Sequence, residues 1–216
     1  MREFVVIGLG RFGSSVAREL IHLGHSVLAI DSSEAKVQEI SEVVSHAVYA
    51  DATEEESLRA LGIRNFDVAV VAIGENIQAS ILTTLILKEL GVSTVVVKAA
   101  SALHAKVLER IGADRIIFPE REMGVKVAHS LTAPNVLDYM ALSSDYGIEE
   151  IAVPAKFCGK KLRDLDLRSR HGVNVIAIKR EGQLLPNVGA DSMFAQGDTA
   201  IIVGSSKGLK GLGEKP

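Results

Sequence analysis

The chain is poor in the residues that mark a secreted, membrane-spanning or nucleic-acid-binding protein. Its single cysteine, Cys158, excludes an internal disulfide and any cysteine metal cluster, and reads as an inert small side chain. Tryptophan is absent and aromatic residues make up only 4% of the 216, so valine, isoleucine and leucine must fill the interior, as in parallel strands covered on both faces. No apolar run approaches the roughly 18 residues needed to cross a bilayer. The first residues read as a strand and not as a secretory signal, so a cytoplasmic protein is expected. A formal net charge of −3 supplies no basic face for nucleic acid.

What is present begins at the first strand. Phe4-Val5-Val6-Ile7 runs straight into Gly8-Leu9-Gly10-Arg11-Phe12-Gly13, and the stretch after it has helical spacing, with Val16, Leu20 and Leu23 on one stripe. In a strand-turn-helix unit the three glycines have separate jobs: Gly8 makes the tight turn, Gly10 lets backbone approach a phosphate, and Gly13 lets the helix pack on the strand. The helix N-terminus offers N–H groups and a positive dipole end to an anion. A second strand ends at Asp31-Ser32, where an acid would accept hydrogen bonds from a ribose. A glycine motif alone is weak, but the strand, the helix and the acid agree, and a bound nucleotide is expected.

Further strands are expected at Ala47–Ala50, Asp67–Ile73, Thr94–Val97 and Arg115–Phe118, each followed by a helix or a turn. Six strands alternating with five helices predict an α/β, Rossmann-like doubly wound parallel sheet, order 3-2-1-4-5-6, over the first 120 residues. Thr53 and Glu56 suggest a capping box opening a short helix. Strand ends place Asp31, Asp51, Ile73-Gly74-Glu75, Lys98-Ala99 and Glu120 on the ligand-binding edge, Arg11 within reach of a terminal phosphate, and His104 on a helix beside that edge. Asp51 reads equally as a base or ribose contact and as a turn residue. Glu122 to Leu142 predicts two helices, 123–131 and 135–142, broken at Thr132-Ala133-Pro134-Asn135 and either covering the last strand or crossing to a second subunit. The expected division is a nucleotide-binding domain at 1–121, crossover helices at 122–142 and a small α+β module at 143–216. In that module strands are expected at Glu149–Val153, Val173–Lys179, Gln183–Leu185 and Thr199–Val203, with a helical piece at Leu162–Leu165 and a frayed tail from Lys207 to Pro216.

Two functional classes suit such a chain. A nicotinamide oxidoreductase needs a general acid or base over the cofactor. The six histidines, His22, His25, His46, His104, His129 and His171, show no catalytic or metal-ligand spacing and read as surface or capping residues. The alternative is a binding module in which the nucleotide sets a conformation and does not react. That reading is preferred, with an NAD(H)-dependent redox sensor or oxidoreductase as the runner-up.

The chain also resembles a known family. Val6-Ile7-Gly8-Leu9-Gly10-Arg11-Phe12-Gly13, the Asp51-Ala52-Thr53 turn, Val71-Ala72-Ile73-Gly74-Glu75-Asn76-Ile77-Gln78-Ala79-Ser80, Lys98-Ala99, Ile111 to Ile116 and Phe118-Pro119-Glu120 resemble the RCK domain, which regulates potassium conductance. The similarity is greatest to the cytosolic regulatory subunits of bacterial Ktr-type potassium uptake systems, cousins of the Trk regulatory protein, and extends to Leu165-Asp166-Leu167-Arg168 and Val175 to Arg180. The resemblance implies a homodimer assembling into an octameric ring at the inner face of the cell membrane, beneath a membrane potassium channel subunit, with ATP or ADP in the N-terminal lobe changing the ring's shape. By the same resemblance Arg11 reaches the γ-phosphate, Asp31 holds ribose, Asp51 and Ala52 meet the base, and Glu120 helps hold Mg2+, Ca2+ or Na+ near the dimer axis. It also implies cyclic di-AMP at a C-terminal dimer interface through Leu162, Asp166, Arg168 and Val175. Lys160-Lys161-Leu162-Arg163 departs there from the aliphatic lip that the family pattern would have.

Overall fold

Apolar residues on both sides of each early strand require cover on both faces, and the structure supplies it. The computed structural model describes residues 1–132 and 135–213. Its contacts divide the chain into two compact units, Met1–Pro119 and Glu120–Pro216.

In the first unit, β1 (Glu3–Ile7), β2 (Ser26–Asp31), β3 (His46–Tyr49), β4 (Val68–Val71), β5 (Thr94–Lys98) and β6 (Arg115–Ile117) form one parallel sheet in the order β3-β2-β1-β4-β5-β6. The expected doubly wound topology is therefore the observed one. Strand alternation divides the core: Val5, Ile7, Leu28, Ile30, Ala69 and Val71 pack on one face, and Val6, Val27, Ala29 and Val70 on the other. Helices α1 (Arg11–His22), α2 (Glu34–Ile40), α3 (Glu55–Ala60), α4 (Ile77–Glu89) and α5 (Ala102–Arg110) make the crossovers. Two of them start on side-chain caps. Asn76 accepts from the Ala79 N–H at 3.0 Å and Ser101 from the His104 N–H at 3.1 Å. The expected capping box is not formed: α3 begins after Glu54, whose side chain makes no cap bond, and Thr53 turns back to Asp51.

The second unit opens with α6 (Pro119–Thr132), whose first residue still belongs to the first unit. Proline suits a helix's first position because it lacks only an N–H with no partner there, so Glu120 lies in a helical first turn and not at a strand end. The expected helix break falls partly on Ala133 and Pro134, which lie outside the described residues. The helix expected at 135–142 is instead a strand, β7 (Val136–Ala141), paired with β8 (Tyr146–Ala152). With β9 (Val173–Arg180), β10 (Gln183–Leu185) and β11 (Thr199–Ser205) these make an antiparallel sheet, order β10-β9-β11-β8-β7. Glu181 and Gly182, at φ 49° and 81°, turn β9 into β10 as a hairpin.

Short helices α7 (Leu162–Leu165) and α8 (Leu167–His171) join at Asp166, which is left-handed at φ 45°. The tail expected to fray is, as far as Gly213, a helix, α9 (Ser206–Gly213). Leu209 and Leu212, 1% and 3% exposed, anchor it in the core. The remaining tail residues, 214–216, lie outside the described residues. No described helix is long and apolar enough to cross a membrane.

Candidate nucleotide site

The glycine turn is built by close contact. Gly8 takes φ 93°, and a Cβ there would meet the Ala72 carbonyl carbon and the Ile73 nitrogen at 3.0 Å. A Cβ on Gly13 would overlap the Gly8 carbonyl oxygen, so only glycine lets α1 lie against the turn. Gly10 differs: it is exposed, nothing lies within 4 Å of its Cβ position, and as the N-cap of α1 it leaves the helix start without a side-chain cap. The first-turn amides of α1 therefore face open space, where an anion can approach. Arg11 is exposed and Phe12 half-buried at the same helix start.

Asp31 holds this turn in place. Only 7% exposed at the end of β2, its Oδ2 accepts the Leu9 N–H at 2.6 Å and its Oδ1 the Ser33 N–H at 2.8 Å, with Lys36 Nζ 3.5 Å from Oδ2. The acid thus ties the carboxyl ends of β1 and β2 together beside exposed Ser32. At the end of β3, Asp51 Oδ1 accepts from the Thr53 N–H at 2.9 Å and the Thr53 hydroxyl at 2.7 Å, bonds that hold its carboxyl below the ordinary range. The neighbouring Ala52 is buried, and its carbonyl accepts from buried Thr83 of α4 at 3.1 Å.

Beyond β4 and β5 the same edge continues. Ile73 and Gly74 are half-buried and Glu75 exposed, and Lys98 Nζ lies 3.4 Å from the Cβ position of Gly74. Next to it Ala99 is buried. His104 is 3% exposed, and its Nδ1 accepts from the Ala100 N–H at 3.2 Å, so in the neutral ring the proton sits on Nε2. That Nε2 is buried without a hydrogen-bond partner, and burial lowers the histidine's pKa. The Oγ of Ser80, on the second turn of α4, is buried and unpartnered too. Sequence reasoning gave Ser80 no role; Thr83 and Thr84 are buried on the same helix, so a small polar residue there was no distinguishing signal.

The first unit therefore carries Gly8 through Gly13, Asp31, Ser32, Asp51 to Thr53, Ile73 to Glu75, Lys98, Ala99 and His104 on or beside the carboxyl edge of one sheet. There β1, flanked by β2 and β4, marks the switch point where ligands of such sheets bind. Glu120 belongs to the second unit, on the first turn of α6. Among the described residues, no group of three or more His, Cys, Asp or Glu gathers as a metal site. Of the C-terminal candidates, Leu162 opens α7 with its N–H on the Ser192 carbonyl at 2.9 Å, Arg168 is exposed on α8, and Val175 packs on the module core.

A doubly wound sheet with a Cβ-free anion approach, followed by an antiparallel α+β module, defines a Rossmann-type RCK architecture. The TrkA-N domain family matches residues 4–119 and the TrkA-C domain family residues 148–215. The Ktr system potassium uptake protein C of Bacillus subtilis is 50% identical over 204 residues, covering 94% of this chain and 92% of that protein. Among solved structures, the GsuK RCK domain and the GsuK channel bound to NAD each superpose with a TM-score of 0.67 at 16% identity over all of this chain. They cover 48% and 40% of those chains, so this chain spans less than half their length. GsuK bound to ADP matches 60% of this chain and 33% of its own, with a TM-score of 0.51 and 26% identity. The chain belongs to the TrkA-N and TrkA-C family of Ktr potassium uptake proteins, which are named for ion uptake and not for a catalysed reaction.

Proposed function

We propose that this chain is the cytosolic nucleotide-binding gating subunit of a Ktr-type system, controlling potassium flow through a membrane channel subunit according to whether ATP or ADP is bound. The observation that carries this reading is the helix start at Gly10, open while Gly8 and Gly13 on either side are closely packed, in a chain half identical to a potassium uptake protein. Diphosphate lies on the first-turn amides of α1, ribose on the free lone pairs of Asp31, and the base beside Asp51, Ala52 and Thr53. Ile73, Gly74, Glu75, Lys98, Ala99 and the Nε2–H of His104 line the phosphate and sugar side. Arg11 clamps the γ-phosphate, which is the differential contact that a ligand-driven shift requires.

In this reading the protein acts as a homodimer within an octameric ring peripheral to the inner face of the membrane. The exposed apolar residues of α6 and β7, Met123, Val127, Leu137 and Met140 among them, serve subunit contact, and Glu120 helps hold Mg2+, Ca2+ or Na+ between facing nucleotides. The nucleotide domain is taken as 1–121, the crossing segment as 122–142 and the C-terminal module as 143–216. That module takes cyclic di-AMP at Leu162, Asp166, Arg168 and Val175. A second reading, NAD(H) in the same crevice, is favoured by the GsuK channel bound to NAD.

Calorimetry of the nucleotide-free protein with ATP, ADP and NADH, with and without Mg2+, tests the proposal. ATP and ADP should bind, with cation dependence for ATP alone, and Arg11→Ala should weaken ATP at least tenfold while changing ADP little. Equal loss for all ligands refutes the γ-phosphate clamp. NADH binding without ATP binding refutes the gating reading.

A further inference from the structure

The second unit contains a cleft that the nucleotide reading does not use. It lies between the α7–α8 pair and α9, encloses about 310 Å³, and has a rim of Lys156, Lys160, Arg170 and His171 over a floor that includes Phe157 and Leu212. This volume is at the lower end of ordinary ligand pockets. Leu167, Arg170 and His171 are three and four residues apart and share the cleft-facing side of α8. Arg168, assigned above to cyclic di-AMP, does not line the cleft.

Two observations show that the cleft is built and charged. The first is the glycine pair in α9. A Cβ on Gly208 would overlap the His171 carbonyl oxygen, and one on Gly211 would lie 3.5 Å from His171 Nδ1. Gly208 lets α9 approach α8 closely, and at Gly211 the space a side chain would fill is left beside the imidazole. The second is the pairing of the local cations. Lys161 and Arg163, between the two rim lysines and α8, both pair with Asp191. Lys156, Lys160 and Arg170 have no carboxylate partner among the described residues, and the one acid at the cleft is Asp164. Three permanent cations and an imidazole against one carboxylate, over an apolar floor, match a dianion attached to a small apolar body. Lys156 Nζ lies 5.7 Å from the Phe157 ring centroid, so the cation and the floor adjoin.

We propose that this cleft binds a small phosphate monoester, its phosphate held by Lys156, Lys160, Arg170 and His171 and its carbon body resting on Phe157 and Leu212. This site is separate from the nucleotide edge of the first unit and from the candidate cyclic di-AMP residues.

The test uses phenyl phosphate and inorganic phosphate as probes on the full chain. Binding is measured by calorimetry at constant ionic strength and localised by the rate of His171 carbethoxylation with diethyl pyrocarbonate, read by peptide mass spectrometry. Phenyl phosphate should bind saturably, more tightly than inorganic phosphate, and should slow modification of His171. The Lys156→Gln/Lys160→Gln variant, altered only at exposed positions, should lose at least tenfold in affinity and lose the protection. Gly211→Val, which fills the floor, should lose phenyl phosphate binding as well. ADP binding in the first unit must be unchanged in each variant, which reports that the variant has folded. The proposal is overturned if His171 is unprotected, if inorganic phosphate binds as well as phenyl phosphate, or if the double variant binds like the wild type.

Discussion

Asp31 should be as important to the folded chain without ligand as to the nucleotide, and replacing it by Asn separates the two roles. Its two carboxylate oxygens accept backbone N–H groups at 2.6 and 2.8 Å in a site only 7% exposed. A hydrogen bond to a charged acceptor contributes about 1.5–3 kcal/mol, and leaving its donor buried and unpaired costs a similar amount. Asparagine keeps one acceptor oxygen and turns an NH2 towards the other amide, so one bond is lost and one N–H meets a donor. The expected cost is about 2–3 kcal/mol in the first unit without ligand. Urea unfolding of the ligand-free protein by circular dichroism should show an earlier midpoint for that unit. Hydrogen exchange should rise at Leu9 and Ser33 specifically. ADP affinity should fall at least tenfold in addition, measured by calorimetry under conditions where the variant is folded. If Asp31→Asn unfolds at the wild-type midpoint with unchanged exchange at Leu9 while ADP binding is lost, the acid is a ligand group only and the turn is held by something else.

Two further outcomes follow from single contacts. Gly13→Ala forces a methyl onto the Gly8 carbonyl, so α1 must lift from the turn at a cost of about 1–3 kcal/mol, and a thermal melt should fall while nucleotide affinity drops. Glu149 on β8 is 6% exposed with Oε2 unpartnered, and burial raises its pKa above the ordinary carboxylate range. A raised folded-state pKa means that the protonated group is tolerated, and that stability present below the unfolded pKa is lost as pH rises through the folded one. Glu149→Gln should therefore match the wild type in acid and exceed it by about 1 kcal/mol at pH 8, by urea titration at both values. A constant difference across pH would show that the carboxyl ionises freely in the fold.

The first unit was legible because each of its levels points the same way. Buried parallel strands are apolar on both faces, glycine and carboxylate residues end them, and helix starts carry Asn76 and Ser101 where caps belong. The second unit hid its elements for identifiable reasons. In β7 the pairing slips between Val136 and Asp138, so the alternation of a strand is broken and Val136, Leu137 and Met140 fall at helical spacing. Leu137 and Met140 are also exposed, so burial in this chain does not mark the strand either. In α9, Gly208, Gly211 and Gly213 read as breakers, whereas Gly208 is what the packing on His171 requires. Helix propensity is a weak prior when a close approach decides the residue. The same holds within the site. Asp31 was legible as an acid at a strand end and its bond to the Ser33 N–H, two residues on, is local, but its bond to Leu9 joins residues 22 apart in sequence, and no local pattern encodes it. His104 was legible by its place on a helix beside the ligand-binding edge, whereas its buried Nε2 and the Ser80 Oγ became distinct only when tertiary burial left them without partners. A buried polar atom without a partner costs about 1–3 kcal/mol. In the proposed nucleotide reading, a ligand oxygen reaching His104 Nε2–H would remove one of these two costs and leave that of Ser80.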